Sequence, residues 1–218
     1  MLASPNHLTH LLPNHLIVFT RYPQPGTAKT RLIPELGAEG AAQVSRQLTE
    51  HTLAQIAQLP QQAAIAVTIA FAGGSVSQMQ QWLGGNWQYV PQTGEDLGDR
   101  MANAMQAAFA VGAQRVLIIG TDCPALTPVL LSQALQALNQ VDLVLGPAVD
   151  GGYYLMGVRQ FNPAIVEGVA WSTDVVLAQT LAIADHLGWT TYLLPTLQDI
   201  DYPADLAVWR AIDGGRAR

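Results

Sequence analysis

Apolar residues follow two different periods along the chain, and the two periods alternate from one end to the other. Short apolar runs of strand length, such as 15–20 and 115–120, are separated by longer segments with apolar residues at helical spacing, such as 38–58 and 97–111. The same patterns predict strands at 64–72, 87–90, 142–148, 153–158 and 191–194, and helices at 76–83, 128–138, 172–187 and 203–212. This alternation predicts an α/β fold with three layers, in which helices cover both faces of a mostly parallel, mixed central sheet.

The 218 residues favour one domain over two. We expect this domain to span 15–213 and to follow a flexible N-terminal tail at 1–14, where His and Pro are frequent. The tail lacks the basic start and the hydrophobic stretch of a signal peptide. The apolar runs are too short for a membrane span, which needs roughly 20 residues. A cytoplasmic protein is therefore predicted.

The charge balance limits which ligands the protein can bind. The formal net charge is −6, and Lys and Arg together number only 10. Because nucleic-acid binding depends on many cations that neutralise phosphates, we do not expect a nucleic-acid partner. A small anionic ligand remains compatible with this composition if a few side chains or a metal supply positive charge locally. Charged residues make up only 12% of the chain, so each cluster of charges is informative.

Candidate chemistry lies in the loops after predicted strands, where ligands bind in open α/β sheets. The loop after the first strand contains Lys29, which is the only lysine of the chain, and Arg31. Lysine as a point charge and arginine as a planar fork can together hold phosphate oxygens. The alternative is an ordinary surface loop with two solvated cations. The loop matches neither the Walker A nor the dinucleotide-binding glycine pattern.

Two acidic segments are candidates for a metal site. Asp122 directly follows the most hydrophobic strand, where a carboxylate is costly to desolvate unless a cation lies beside it. A hard ion such as Mg²⁺ would suit it, although Asp122 could instead cap the turn into the next helix. Of Asp199 and Asp201, we expect Asp201 to reach the metal. The alternative for this pair is a role at the start of the last helix.

Three further segments could contact a ligand. Asp150, Gly151 and Gly152 lie between two predicted strands, where paired glycines allow a ligand to approach the backbone, but a plain Asp-Gly hairpin turn competes with this interpretation. The segment 93–100 leads into a helix and could pack against a base, or its acidic residues could serve the helix start. The segment 171–173 could form a wall of the substrate site, or could cap a helix beside a packed tryptophan.

The combination of these motifs resembles a known family. The ordered segments are Pro-Gly-Thr-Ala-Lys-Thr-Arg, Gly-Thr-Asp-Cys-Pro, Asp-Gly-Gly-Tyr-Tyr and Asp-Ile-Asp-Tyr-Pro-Ala-Asp-Leu. They resemble the glycosyltransferase-like, or rSAM/selenodomain-associated, transferases of the nucleotide-diphospho-sugar transferase (GT-A) superfamily. The resemblance covers about 15–210. Relatives of known activity include 2-phospholactate guanylyltransferase and molybdenum cofactor guanylyltransferase.

The resemblance implies a GT-A fold, with phosphates held by Lys29 and Arg31 and metal by Asp122 and Asp201, and together with the other motifs above it gives a set of candidate functional residues. The catalytic residues would be Lys29, Arg31, Asp122 and Asp150, and the ligands of Mg²⁺ or Mn²⁺ would be Asp122 and Asp201. Nucleotide contacts are expected at Thr20, Arg21, Gly26, Lys29, Arg31, Thr93, Leu97 and Gly98. Contacts to the sugar or acceptor are expected at Asp150, Gly151, Gly152, Tyr153, Trp171 and Ser172.

The predicted function is a metal-dependent transferase that acts on a nucleotide sugar or a nucleoside triphosphate and a small-molecule acceptor. The first loop has fewer glycines than nucleotidyltransferases usually have, and Asp122 lacks the Asp-x-Asp pattern of many sugar transferases. Both enzyme classes therefore stay open, and a catalytically silent nucleotide sensor is the alternative. The oligomeric state is also left open, with a dimer as one arrangement.

Overall fold

The computed structural model describes residues 12–60, 63–212 and 214. Most of the predicted tail, 1–11, and the predicted domain end at 213 lie outside the described residues. The strands are β1 (Asn14–Arg21), β2 (Ile65–Ala72), β3 (Gln88–Pro91), β4 (Arg115–Ile119), β5 (Leu143–Pro147), β6 (Tyr153–Val158) and β7 (Thr191–Leu193). The helices are α1 (Ile33–Ile56), α2 (Val76–Leu83), α3 (Leu97–Ala110), α4 (Pro128–Ala137), α5 (Val176–His186) and α6 (Leu206–Ile212).

The strands within the described residues form one sheet in the order β3-β2-β1-β4-β6-β5-β7. Its neighbouring strands are parallel except that β6 runs antiparallel to both β4 and β5. The exception has a local cause: β5 and β6 are joined by a hairpin, and a connection that short cannot return the chain for a parallel strand. The predicted α/β fold with a mostly parallel, mixed sheet is thereby confirmed.

The sheet is buried on both faces. On one face, α1, α2 and α4 contribute Leu53, Met79 and Leu131 to a continuous apolar core. On the other face, α3 and α5 contribute Met105 and Ala184 to a second core. Because β4 lies between these cores and is apolar almost throughout, its end is a buried position from which the following loop emerges.

Helix starts agree with the sequence in one place and differ in another. As predicted, Thr127 caps α4, with its hydroxyl accepting a hydrogen bond from a backbone N–H and Pro at the first helical position. The prediction that Ser172 and Thr173 cap α5 is wrong, because the helix begins only at Val176 and has no side-chain cap. Instead, Ser172 has a positive φ of 64°, and the Thr173 hydroxyl donates to the carbonyl of Ala170.

The first helix is also longer than its apolar pattern predicts. It begins at Ile33, but Gly37 within it has φ 70° and ψ 170°, so the helical path is interrupted there. The regular part therefore follows Gly37, which agrees with the predicted start at 38. Within the described residues, none of the helices combines the length and apolarity that crossing a lipid bilayer requires.

Candidate active site

The loop after β1 directs the side chain of Lys29 into the protein. Turn hydrogen bonds from Thr27 and Ala28 to the carbonyl of Gln24 fold the loop back, and the buried Ala28 anchors it. Lys29 itself has φ 48° and ψ 47°, a left-handed conformation that only glycine adopts freely. Non-glycine residues in this conformation persist where the surroundings hold them, often at functional sites.

The ammonium group of Lys29 lies between two carboxylates from distant parts of the chain. Its Nζ is 2.8 Å from Asp122 Oδ1 and donates a hydrogen bond of 2.7 Å to Asp201 Oδ1. The second oxygen of Asp201, Oδ2, accepts a hydrogen bond of 2.7 Å from Arg31. The structure thus brings Lys29, Arg31, Asp122 and Asp201 together in one group, which we call the Lys29 cluster. Only 7% of the Lys29 side chain is exposed, against 51% for Asp122.

Backbone contacts hold Asp122 in this position. The loop that carries it leaves β4 at Gly120, whose N–H donates to the carbonyl of Tyr154 on β6. The carbonyl of Asp122 in turn accepts a hydrogen bond from the N–H of Ile200, a fully buried residue. This bond connects the two acidic segments directly. Cys123 is buried beside them, and burial raises the pKa of its thiol, so the sulfur is an inert packing group.

Asp205 fixes the segment that carries Asp201. Its carboxylate accepts hydrogen bonds from the backbone N–H groups of Asp201 and Tyr202, at 3.0 and 2.7 Å. The Arg31 guanidinium lies 5.1 Å from the centre of the Tyr202 ring, a cation–π distance. Arg31 is therefore held from two sides although 53% of its side chain is exposed.

The pKa values reflect the mutual stabilisation within the cluster. Burial alone would lower the pKa of Lys29, but the charges of Asp122 and Asp201 raise it above its ordinary value. Burial would likewise raise the pKa of Asp201, yet Lys29 and Arg31 hold it below the usual range. The ammonium and the Asp201 carboxylate are thus both charged at neutral pH.

Asp199 is a residue that sequence analysis did not select and that the structure places near this cluster. It is buried, and its pKa is raised to about 6, mainly by burial and next by the negative charge of Asp150. Its neighbour Asp205 was also missed as a positioning residue. Asp205 lies three residues after Tyr202, which is the N-cap residue of a short 3-10 helix (Pro203–Asp205) before α6, and a hydrogen-bonding side chain at this spacing is a recognisable signal. The burial of Asp199 has no such local signal.

Asp150 lies in the tight turn between β5 and β6. Its Oδ1 accepts a hydrogen bond of 2.9 Å from the N–H of Gly152, and its side chain is exposed. The hairpin interpretation is therefore confirmed. An exposed carboxylate close enough to raise the pKa of Asp199 is also available to a ligand beside the cluster. In contrast, the hydroxyl of Tyr153 is buried, and burial raises its pKa.

Some of the remaining predicted contacts lie around the start of α3, and the others lie on β1 or in the loop that follows it. Gly98 packs so closely beneath Trp171 that an added Cβ would lie 2.6 Å from the indole nitrogen. The carbonyl of Thr93 accepts a hydrogen bond from the side chain of Asn103. Thr20 is buried, and its hydroxyl forms a hydrogen bond with the hydroxyl of Thr49. Four of these predicted contacts are exposed: Arg21, Gly26, Thr93 and Leu97. Among the described residues, no ion pair joins any of these positions to the Lys29 cluster.

A large groove lies apart from the charged cluster. Its volume is about 620 Å³, and it runs between α3 and the sheet face formed by β1, β2 and β3. Thr93 and Arg100 line it, but most of its walls are alanine and other apolar side chains. Size alone would favour this groove as a ligand site. The lining of the groove includes Arg100, whereas two cations, Lys29 and Arg31, converge in the Lys29 cluster, which makes the cluster better suited to hold a phosphate group.

The donor groups of the cluster fit one divalent cation. The described residues contain no group of three His, Cys, Asp or Glu side chains placed to hold a metal. Oxygens of Asp122 and Asp201 nevertheless converge on a single positive group, the Lys29 ammonium, at 2.8 and 2.7 Å. Mg²⁺ typically binds one or two protein carboxylates and completes its shell with water and substrate phosphates. Two convergent carboxylates therefore suit it.

Comparison with known proteins gives a family and a fold. A family model described as an uncharacterized protein conserved in bacteria (DUF2064) matches residues 52–173. A protein from Desulfovibrio desulfuricans G20, provisionally named a nucleotide-diphospho-sugar transferase, is 32% identical over 94% of this chain and 89% of that chain, with a TM-score of 0.86. No protein of the curated set matches the chain.

Two more distant structures share the fold. A nucleotidyl transferase from Methanothermobacter thermautotrophicus is 16% identical, with a TM-score of 0.61 over 91% of this chain and 96% of that one. A mannosyltransferase from Pyrobaculum calidifontis, solved with GDP-Man and Mn²⁺, is 15% identical, with a TM-score of 0.54 over 92% of this chain and 60% of that one. Transferases of both classes thus share this architecture.

Proposed function

Because the chain belongs to the bacterial DUF2064 family and has the fold of nucleotide-diphospho-sugar transferases, we propose that it transfers part of a nucleotide-activated substrate to a small acceptor. The activated substrate is a nucleotide sugar or a nucleoside triphosphate. The protein's own cations and a divalent metal bind its phosphates.

One observation carries this proposal: Lys29 and Arg31 meet Asp122 and Asp201 beyond the carboxyl ends of β1 and β4. Ligands of open α/β sheets bind at this edge. The cluster combines two donors that can hold phosphate with two carboxylates that can hold a metal. Ion pairs that are shielded from water contribute little net stability. Stability alone therefore does not account for four charged groups at this edge of the sheet.

The residues divide the chemistry between them. Asp122 and Asp201 would hold Mg²⁺ or Mn²⁺, which supplies neutralisation of phosphate charge when bound. Lys29 and Arg31 would donate hydrogen bonds to phosphate oxygens and stabilise negative charge on the leaving group. Asp150 faces the same region from the β5–β6 turn and would orient the acceptor or the sugar.

A ligand screen and product analysis test the proposal. We expect nucleoside triphosphates, diphosphates or nucleotide sugars to stabilise the protein against heat in the presence of Mg²⁺, since a ligand that binds only the native state raises its stability. The predicted relation to guanylyltransferases makes GTP the first compound to test. Release of pyrophosphate would identify nucleotidyl transfer, and release of a nucleoside diphosphate would identify glycosyl transfer.

The variant Asp122→Asn tests the assigned site. We expect it to fold, because Asp122 is half exposed, and to lose about tenfold or more in Mg²⁺-dependent nucleotide affinity. Asp185→Asn is the matched control, since Asp185 is an exposed carboxylate on α5. Equal nucleotide affinity in the two variants would contradict the site. Tight nucleotide binding without turnover on any acceptor would indicate the silent sensor instead.

A further inference from the structure

The Lys29 ammonium occupies the position between the carboxylates that a divalent cation would need. Its Nζ is 2.8 Å from an oxygen of Asp122 and 2.7 Å from an oxygen of Asp201. A metal ion bound by both carboxylates would have to lie at about the same point, because metal–oxygen distances in such sites are about 2 to 2.6 Å. The ammonium and the metal therefore cannot both bridge this pair.

Charge leads to the same conclusion as geometry. The two carboxylates are already neutralised by two cations, Lys29 and Arg31, at ion-pair distances. An added divalent ion would meet two positive groups at short range, where repulsion is strong because the site is partly shielded from water. Phosphate groups would remove this repulsion by giving both side chains new anionic partners.

Without a bound ligand, the ammonium group of Lys29 has, among the described residues, no other anionic partner for which it could leave the two carboxylates. Its side chain is only 7% exposed, so the ammonium group is largely shielded from solvent. An ammonium that leaves two carboxylates needs an equivalent anionic partner, since an unpaired buried charge is costly. The phosphates of a bound nucleotide are the group of matching charge at this edge of the sheet.

We propose that Lys29 is an internal substitute for the divalent cation and makes metal binding depend on the nucleotide. In the free protein its ammonium bridges Asp122 and Asp201, so the metal does not bind alone. The nucleotide phosphates attract Lys29 and Arg31, and the vacated carboxylates accept the metal. This inference rests on the proposed nucleotide-dependent function. It implies that metal and nucleotide each raise the affinity for the other by the same factor.

The experiment measures Mn²⁺ binding without nucleotide, from the electron paramagnetic resonance signal of the free ion. Lys29→Met removes the bridging charge and keeps an unbranched side chain of similar length. We expect it to bind Mn²⁺ about tenfold or more tightly than the wild-type protein does. Adding Asp122→Asn to this variant should abolish the gain. No gain in Lys29→Met would overturn the inference.

Arg31→Met is the matched control. It removes the same unit of charge from the other oxygen of Asp201, but not from the position between the carboxylates. We expect its gain in Mn²⁺ affinity to stay below about threefold, because Arg31 is half exposed and its charge is screened. An equal gain in Arg31→Met and Lys29→Met would show that net charge matters and the bridging position does not.

A second measurement needs only the wild-type protein, and it tests whether metal binding depends on the nucleotide even if Lys29→Met does not fold. Mn²⁺ is titrated with and without each of the common nucleoside tri- and diphosphates, after correction for binding of Mn²⁺ to the free nucleotide. Mn²⁺ binding that requires a nucleotide supports the inference, and equal binding without nucleotide overturns it. If no nucleotide binds, the proposed function fails, whereas the variants with Mn²⁺ alone still test the role of Lys29.

Discussion

Gly151→Ala perturbs the turn that presents Asp150, and its cost can be worked out from two contributions. Gly151 has φ +89°, and a Cβ added there would lie 2.2 Å from the carbonyl oxygen of Asp174, a backbone atom that cannot rotate away. The left-handed backbone costs an alanine about 1 kcal/mol. The overlap adds about 2 kcal/mol, a typical cost of overpacking. We therefore expect Gly151→Ala to lower the free energy of unfolding by about 3 kcal/mol.

Gly188→Ala separates the two contributions. Gly188 follows α5 with φ +67°, but a Cβ there would meet nothing within 4 Å. It should therefore cost only the backbone contribution of about 1 kcal/mol. Urea unfolding measures both variants, and in thermal unfolding the difference of about 2 kcal/mol corresponds to Tm values roughly 4–8 °C apart.

The comparison has a clear refuting result. If the two variants lose the same free energy, the contact between Gly151 and Asp174 does not constrain the turn. If Gly151→Ala lowers the free energy of unfolding by only the backbone contribution of about 1 kcal/mol, the β5–β6 turn can move away from Asp174 without cost. The position of Asp150 beside the cluster would then not be fixed by this packing.

Two further predictions concern stability away from the site. Asp142→Asn should cost about 2 kcal/mol at neutral pH, because Asp142 accepts charge-assisted hydrogen bonds from Arg159 and Thr190. The hydrogen bond from Thr190 is the main reason that the pKa of Asp142 lies below its usual 3.8. The higher free energy of unfolding of the wild-type protein should therefore be lost as the pH falls below 3.8, which urea titrations at a series of pH values measure. Asp96 caps α3, since its carboxylate accepts a hydrogen bond of 2.8 Å from the N–H of Asp99. Asp96→Ala should cost about 1 kcal/mol, and more than Thr127→Ala, because the bond by which Thr127 caps α4 is 3.4 Å long. Equal costs would mean that capping distance does not set the energy.

Local patterns in the sequence were sufficient for most of the fold. Apolar periodicity identified the helices because each helix buries one stripe against the sheet, and short continuous apolar runs identified the strands because the sheet is buried on both faces. The cap at Thr127 was predictable because it involves neighbours within one turn. The predicted cap at Ser172–Thr173 is absent from α5, because these residues belong to the segment packed beside α3, where Trp171 covers Gly98. Tertiary packing there outweighs local preference.

The scarcity of charged residues and their place in loops after predicted strands were enough to select Lys29, Arg31, Asp122 and Asp201. Only the tertiary structure decided how they meet, because Lys29 and Asp201 are 172 positions apart and no local pattern encodes such a contact. Folding placed the ammonium between the carboxylates and brought the buried Asp199 beside them. Charge pairing depends on distance in space, whereas a sequence pattern reports only the spacing along the chain.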